Sequence, residues 1–549
     1  MNDALAVVIW WIKRDLRVGD NEALRRAADD AAHRGTSLLP LFVWDEALIA
    51  SPDTSTHHLR AIDSALHHLN IELTFRGAPV LTTTGRLPDR LGDLSTILGT
   101  AIHPVAIWAH EETSLDAGYR RDEAVRSWAA AAGVPLQELP RNGVVRRLVS
   151  RDRRIAIVER RLKSTPLAPP ETLPMAEELR CRVAATPWID YRTLGVPAPG
   201  YGLDVAPTAP PTDTLFGELP GAEVFRGGGR ALQRVDEAAA ATVLSSFITH
   251  RGNAYSGGMS SPVTAPAAAS RLSVHLAWGT ISLRQVFWEL SRRTAELKGM
   301  DSRTTVGKDA GGTPITAGRW RKSLRAMESR LYWHDHFIQR LEDEPETEFY
   351  PINRAFGELE TNGFLPSPAE EYQRRLQAWL TGTTGYPLVD ASIRGLRTSG
   401  YLPFRMRAMI VSFAVHVLRL WWRDILYPMA QWMADYVPGI HLSQLQMQAA
   451  LTGINTIRVY NPTKQLTDHD REARFVRAMV PELRRRDPAE IRALPDLRLP
   501  PYPPPVVDYK TESALAKRYL YGIKNSSAGR TAAQLVLDRH GSRKRGGGG

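Results

Sequence analysis

Residues 6–140 alternate between short apolar β-rich runs and amphipathic helical stretches, and this alternation restricts the fold more than any other feature of the chain. LAVVIWWI reads as a buried parallel strand, short, rich in β-branched residues and bounded by charge. NEALRRAADDAAHRG follows as an amphipathic helix that Gly35 stops. SLLPLFVWD is a second strand, and PVLTTTG, PVAIWAH and VPLQELP supply more, with helices between them. The expectation is an open, doubly wound (Rossmann-like) α/β domain over residues 1–140.

The pattern then changes. Residues 141–216 begin basic and become Pro-rich, which predicts a long connector without regular structure. From 217 the spacing is helical. Trp320, Leu324, Met327, Leu331, Ile338 and Leu341 share one stripe, which predicts an all-α domain over 217–484. Residues 485–549 read as an extension with a Pro-rich bridge, one more helix and a disordered basic tail.

The chain has 549 residues and a net charge of +11, which favours an acidic partner such as nucleic acid. A single cysteine, Cys181, excludes an intramolecular disulfide, a Cys-based zinc site and an iron–sulfur cluster held by this chain alone. The N-terminus lacks the features of a signal peptide. The apolar run MIVSFAVHVLRLWW is too short to span a bilayer and contains His416 and Arg419. A cytoplasmic monomer with no membrane contact is expected.

Four separated stretches carry a resemblance. WWIKRDLRVGDNEAL, SRLSVHLAWGTISLRQV, WLTGTTGYPLVDASIRGL and RVYNPTKQLTDHDREARFVRAMVPEL occur in this order. Together they resemble the signatures of DNA photolyases and cryptochromes, from about residue 7 to about 520. The resemblance implies an α/β antenna domain followed by an all-α FAD-binding domain that holds FAD in a folded shape. It also implies DNA containing UV photoproducts as the partner. In this family, excited reduced flavin passes an electron to a pyrimidine dimer flipped out of DNA, the dimer splits, and the electron returns.

The resemblance points to individual residues. Tyr255, Ser270, Arg271, Leu272 and Ser273 fall where the family binds the cofactor, and a helix start there suits a diphosphate. Arg407 and Asp435 match an ion pair beside the flavin, with His334, Val437 and Leu442 as further cofactor contacts. Ungapped counting from Asp435 puts Leu442 at the flavin N5 neighbour, and a small shift brings His441 or Gln444 there instead. Trp333, Met447 and Arg405 fall at the lesion pocket, where aromatic or apolar faces stack on a flipped base. His110 and Glu111 fall at the antenna contact, which leaves a folate, a deazaflavin, a second flavin or no antenna open.

The departures are concentrated at the pocket. The dimer-contacting glutamate of the family falls at Arg330, its asparagine at Phe404, its methionine or histidine at Ala408 and its pocket tryptophan at Met447. The places of the tryptophan relay that photoreduces flavin fall at Leu445, Trp422 and about Ala369, with Trp421 beside the middle one. The His334-Asp335-His336 run does not suit a metal, because helical residues two apart do not share a face. Three functions are therefore weighed: splitting of pyrimidine dimers, a cryptochrome-like photoreceptor without repair, and a flavin-free nucleic-acid binder.

Overall fold

The computed structural model describes residues 4–148, 150–195, 233–308 and 312–541. The Pro-rich residues 196–216 and the basic tail 542–549 lie outside the described residues. Five strands, β1 (Leu5–Trp11), β2 (Ser37–Asp45), β3 (Leu81–Gly85), β4 (Ile102–His110) and β5 (Leu136–Leu139), form one sheet in the order β3-β2-β1-β4-β5. Every neighbouring pair is parallel. β2 is buried at all nine positions, as an apolar run covered on both faces by helices should be. Helix Glu22–Arg34 begins where Asn21 accepts from the Leu24 amide and ends at left-handed Gly35.

The second body is helical and centres on Trp379, Tyr386, Phe413 and Trp422, all 2% exposed or less. Two expectations need correction here. Within the predicted connector, Arg154–Leu162 and Glu177–Ala185 are helices. Val158 and Leu162, one turn apart, bury against the helical body, while Leu179 and Val183 bury against the sheet. The helical body also does not end at 484. Helices Tyr509–Asn525 and Ser527–His540 follow, and Ala516, Leu520 and Ile523 enter the same core as Trp379. The Tyr502 hydroxyl donates to buried Asp390 at 2.5 Å, and Glu512 pairs with Arg375 and Arg419 at 2.8 and 2.6 Å.

The segment Lys13–Asn21 joins the two bodies. Lys13 pairs with Asp122 and Glu138 at 2.9 and 3.0 Å inside the α/β domain. Across the boundary, Arg17 donates to the Gly279 carbonyl at 2.9 Å and Arg14 to the Tyr436 carbonyl at 2.9 Å. The Val18 and Gly19 amides donate to the Glu237 carboxylate at 2.8 and 2.9 Å. Asp20 is held by Ser282 and Arg284. The Asp335 of the histidine-flanked run also serves this joint, accepting from the Gly143 amide at 2.7 Å. Among the described residues no group of His, Cys, Asp and Glu is arranged for a metal, and no helix is long and apolar enough to cross a membrane.

Gly279 is the tightest point of the joint. Its φ is +74°, and a Cβ there would lie 1.9 Å from the Arg14 carbonyl oxygen. Gly279→Ala should cost about 2–3 kcal/mol of stability through left-handed strain and displacement of Arg14. Urea unfolding measures the loss.

Candidate functional site

The helix Pro438–Gln448 builds one wall of the site. Pro438 occupies its first turn, where no backbone donor is needed. Gly439 lets it approach the long helix Ala317–Asp343 closely, since a Cβ there would lie 2.7 Å from the Ile338 Cα. Ile440, His441, Gln444, Leu445 and Gln448, at i, i+1, i+4, i+5 and i+8, line a cleft of about 480 Å³. Phe404, Arg407, Ala408 and Val411 from helix Phe404–His416 form the facing wall, with Met429, Met433, Asp435 and Val437 between.

The glutamines divide by face. Gln444 and Gln448 line the cleft. Gln446 is 1% exposed, accepts from the Ile352 amide at 2.6 Å and donates to the Thr347 and Tyr350 carbonyls at 2.8 and 3.1 Å. It is a structural staple.

An ion pair dominates the cleft. Arg407 Nη2 donates to Asp435 Oδ2 at 2.9 Å, and Arg407 Nε donates to the Leu402 carbonyl at 2.6 Å. Burial pushes the Asp435 carboxyl up, but Arg407 outweighs it, with smaller help from Ser273 and Arg271, so its pKa is lowered. Its second oxygen, Oδ1, is buried; the Ser273 hydroxyl approaches without a bond of normal geometry. His441 is buried and neutral. Burial lowers its pKa to about 4, against a weaker raising by its bond to the Leu426 carbonyl. The Nε2···O distance is 2.8 Å. A carbonyl only accepts, so the proton is on Nε2 and Nδ1 is an acceptor.

The remaining expected residues are distributed as follows. Ser273 and Arg271 act on Asp435. The Arg271 guanidinium lies 3.6 Å from the Tyr401 ring centre. Tyr255 is buried, which pushes its phenol up to about 12, with Arg330 and Tyr401 as neighbours. Leu272 is fully buried, and the Ser270 hydroxyl accepts from its amide at 3.4 Å. The helix that starts at Ser273 has only six residues. Arg405 lies near Asp468 and His469. Trp333 is 37% exposed and stacks on Phe337 at 5.5 Å. Met447 is half-buried, off the face that lines the cleft. Trp421 and Trp422 stand 6.1 Å apart in the helical core, and neither lines the cleft.

Three placements differ from expectation. Leu442 is buried in the helical core and does not line the cleft, because it stands about 100° round the helix from His441, outside the arc that carries Ile440, His441, Gln444, Leu445 and Gln448. His334 lines a small interdomain cavity with Arg14, Glu111 and Pro438, and not the Arg407 cleft. His110 lines none of these spaces. It is 3% exposed and bonded through Nδ1 to Asp15 at 2.7 Å, which fixes the end of β4 against the Lys13–Asn21 segment.

A larger cavity of about 920 Å³ opens at the carboxyl ends of β1 and β2. Trp11, Phe42, Trp44, Ile49, Leu59 and Ile62 give it apolar walls, and Lys13, Arg14, Glu112 and Arg121 give it charge. It lies beside the switch point between β1 and β4, where doubly wound sheets bind ligands. Tyr436 and Pro438 close it from the helical side. Along Asp435–Pro438 the side chains therefore alternate: Asp435 and Val437 line the Arg407 cleft, and Tyr436 and Pro438 line the large cavity.

Comparison with known proteins places this architecture. Residues 8–148 match the family model described as DNA photolyase, and residues 327–521 match the FAD-binding domain of DNA photolyase. A deoxyribodipyrimidine photo-lyase from Streptomyces griseus is 26% identical over 94% of this chain and 99% of its own. An archaeal photolyase from Sulfolobus tokodaii, solved with two FAD molecules, superposes with a TM-score of 0.67 at 21% identity over 94% of this chain and 99% of its own. A cryptochrome from Synechocystis superposes with a TM-score of 0.69 at 18% identity over 94% of this chain and all of its own. The chain belongs to the DNA photolyase/cryptochrome family, with an N-terminal α/β domain and a helical FAD-binding domain. FAD is its cofactor. The cleft fits that group: an anchored cation, a buried carboxylate oxygen without a full partner, and neutral hydrogen-bonding groups at His441 and Gln444.

His441 also gives the site a pH signature. Its unfolded value is 6.5 and its folded value about 4, so between these pH values the unfolded chain holds more protons. Stability is then lost as pH falls from 6.5 towards 4. His441→Gln should flatten that fall by about one proton's worth of slope, read from unfolding free energy against pH.

Proposed function

We propose that this chain is a light-driven DNA-repair enzyme of the deoxyribodipyrimidine photo-lyase type, which splits UV-induced pyrimidine dimers. The observation that carries the reading is the cleft itself: a part-buried Arg407–Asp435 pair on its wall and exposed Phe404 at its rim, in the fold of known photolyases. Bound FAD supplies the electron that opens the dimer. Arg407 and Asp435 fix the position of the ring system and its local charge. His441 and Gln444 offer it hydrogen bonds from the opposite wall, and Leu445, Met429 and Met433 keep water out. Tyr255, Ser270, Arg271, Leu272, Ser273 and Val437 complete the cofactor wall.

Trp333, Arg405 and Met447 are assigned to the DNA side. Exposed Phe404 and Trp333 give flat faces for a base out of the stack, and Arg405 gives a phosphate contact. The large cavity beside β1 and β2 is assigned to the antenna. Its aromatic walls and mixed charges suit a planar deazaflavin or flavin better than the closed surroundings of His110 do. The net charge of +11 suits a DNA partner.

A photoreceptor without repair is the second reading. It is favoured by Arg330, Phe404, Ala408 and Met447, which replace the residues that contact the dimer in the family. A visible spectrum of purified protein, taken before and after blue light with a dimer-containing oligonucleotide, separates the two. Repair requires flavin absorption and light-dependent loss of the dimer. Flavin photochemistry with the dimer intact selects the photoreceptor. In the same assay Asp435→Ala, which leaves Arg407 without its carboxylate partner, should weaken FAD retention by about tenfold or more.

A further inference from the structure

The cleft and the large cavity are joined by a row of rings. His441 lines the cleft, and its ring centre is 5.7 Å from that of Tyr436. Tyr436 lines the large cavity and stacks on His58 at 5.3 Å with an interplanar angle of 13°. His58 in turn lies 5.5 Å from Trp278. All of these separations are within ordinary aromatic contact. The Tyr436 hydroxyl donates to Asp53 Oδ2 at 2.8 Å, and both side chains are buried. The Tyr436 backbone is tied down as well, through Arg14 Nη1 on its carbonyl.

The other aromatic groups make poorer routes to the cleft. Leu445 stands on its wall where a relay ring would be needed. Trp421 and Trp422 pair with each other, and Trp379 pairs with Trp432 at 5.1 Å, but none of the four lines the cleft or the large cavity. Tyr436 is the oxidisable side chain whose ring touches a ring of the cleft wall and whose proton has an acceptor in place.

We propose that Tyr436 is the electron donor that photoreduces the bound flavin, with Asp53 receiving its proton. This rests on the reading of the cleft as the FAD site. One electron leaves the Tyr436 phenol and crosses the His441 contact to the light-excited oxidised flavin. The O–H bond breaks and its proton passes to Asp53 Oδ2, leaving a neutral tyrosyl radical and a protonated carboxyl. A thiolate from solution returns one electron and becomes a thiyl radical, two of which pair as a disulfide; Asp53 returns the proton, and the phenol is restored. Neither His441 nor His58 changes oxidation state; His441 is the contact through which the electron tunnels.

The test uses the full-length holoprotein, with bound FAD confirmed by its absorption, under blue light with added thiol and without oxygen. Tyr436→Phe keeps the ring and its packing but removes the oxidisable phenol. Photoreduction should slow by about tenfold or more, and the tyrosyl radical signal in electron paramagnetic resonance should vanish. The wild type should show a solvent deuterium effect on this step, and Asp53→Asn should slow the step and remove that effect. Trp432→Phe should leave the rate unchanged. An FAD-replete Tyr436→Phe protein that photoreduces at the wild-type rate overturns the proposal while leaving the cleft assignment standing. Wild-type protein that binds no FAD overturns the cleft assignment and the proposal with it. If Tyr436→Phe does not fold, wild-type protein grown with ring-deuterated tyrosine decides: a narrowed radical signal supports Tyr436, and an unchanged tryptophan signal overturns it.

Discussion

The buried charged segment Lys13–Asn21 is the constraint on which the two bodies depend. It places three cations, two carboxylates and an amide at a boundary where water is largely excluded. Unpaired, such groups are costly to bury; paired, they add little net stability but fix geometry. Each finds a partner set by distance: Lys13 within the sheet domain, Arg14 and Arg17 on carbonyls of the helical body, Asp20 on Ser282 and Arg284. The result is a joint with one register. Through Arg14 on Tyr436 it also sets the stretch that separates the two cavities.

Much of this was legible from sequence, and the failures have identifiable causes. The period-2 and period-3.6 patterns are local, so the parallel sheet and the helical body could be read directly. Pro-rich composition masked the helices Arg154–Leu162 and Glu177–Ala185, because each is short and its prolines lie outside it. The helices after residue 484 were underestimated because their burial depends on distant partners such as Asp390 and Arg375, which no local pattern reveals.

The cleft shows the same division. Arg407 and Asp435 were marked by their motifs, and the structure brings them together. Leu442 was singled out by counting along the chain, but a helix wall is decided by phase. One residue of error turns a side chain by about 100°, enough to exchange a core leucine for a cleft histidine. The spacing of Ile440, His441, Gln444, Leu445 and Gln448 contained that phase. The large cavity had no such signal, since its lining comes from widely separated segments including residues 11–14, 42–62, 112–121, 278 and 436–438.

The alternation along Asp435–Pro438 makes the two cavities share a single thin partition. The short stretch between the turn at Asp435 and the helix that starts at Pro438 sends successive side chains to opposite sides. Losing or gaining one residue there would exchange the walls, turning a carboxylate toward the sheet domain and a bulky ring toward the cleft. The stretch can therefore change by substitution but not by length. Each substitution is also exposed to selection from both sides of the partition, so the two sites are bound to evolve together.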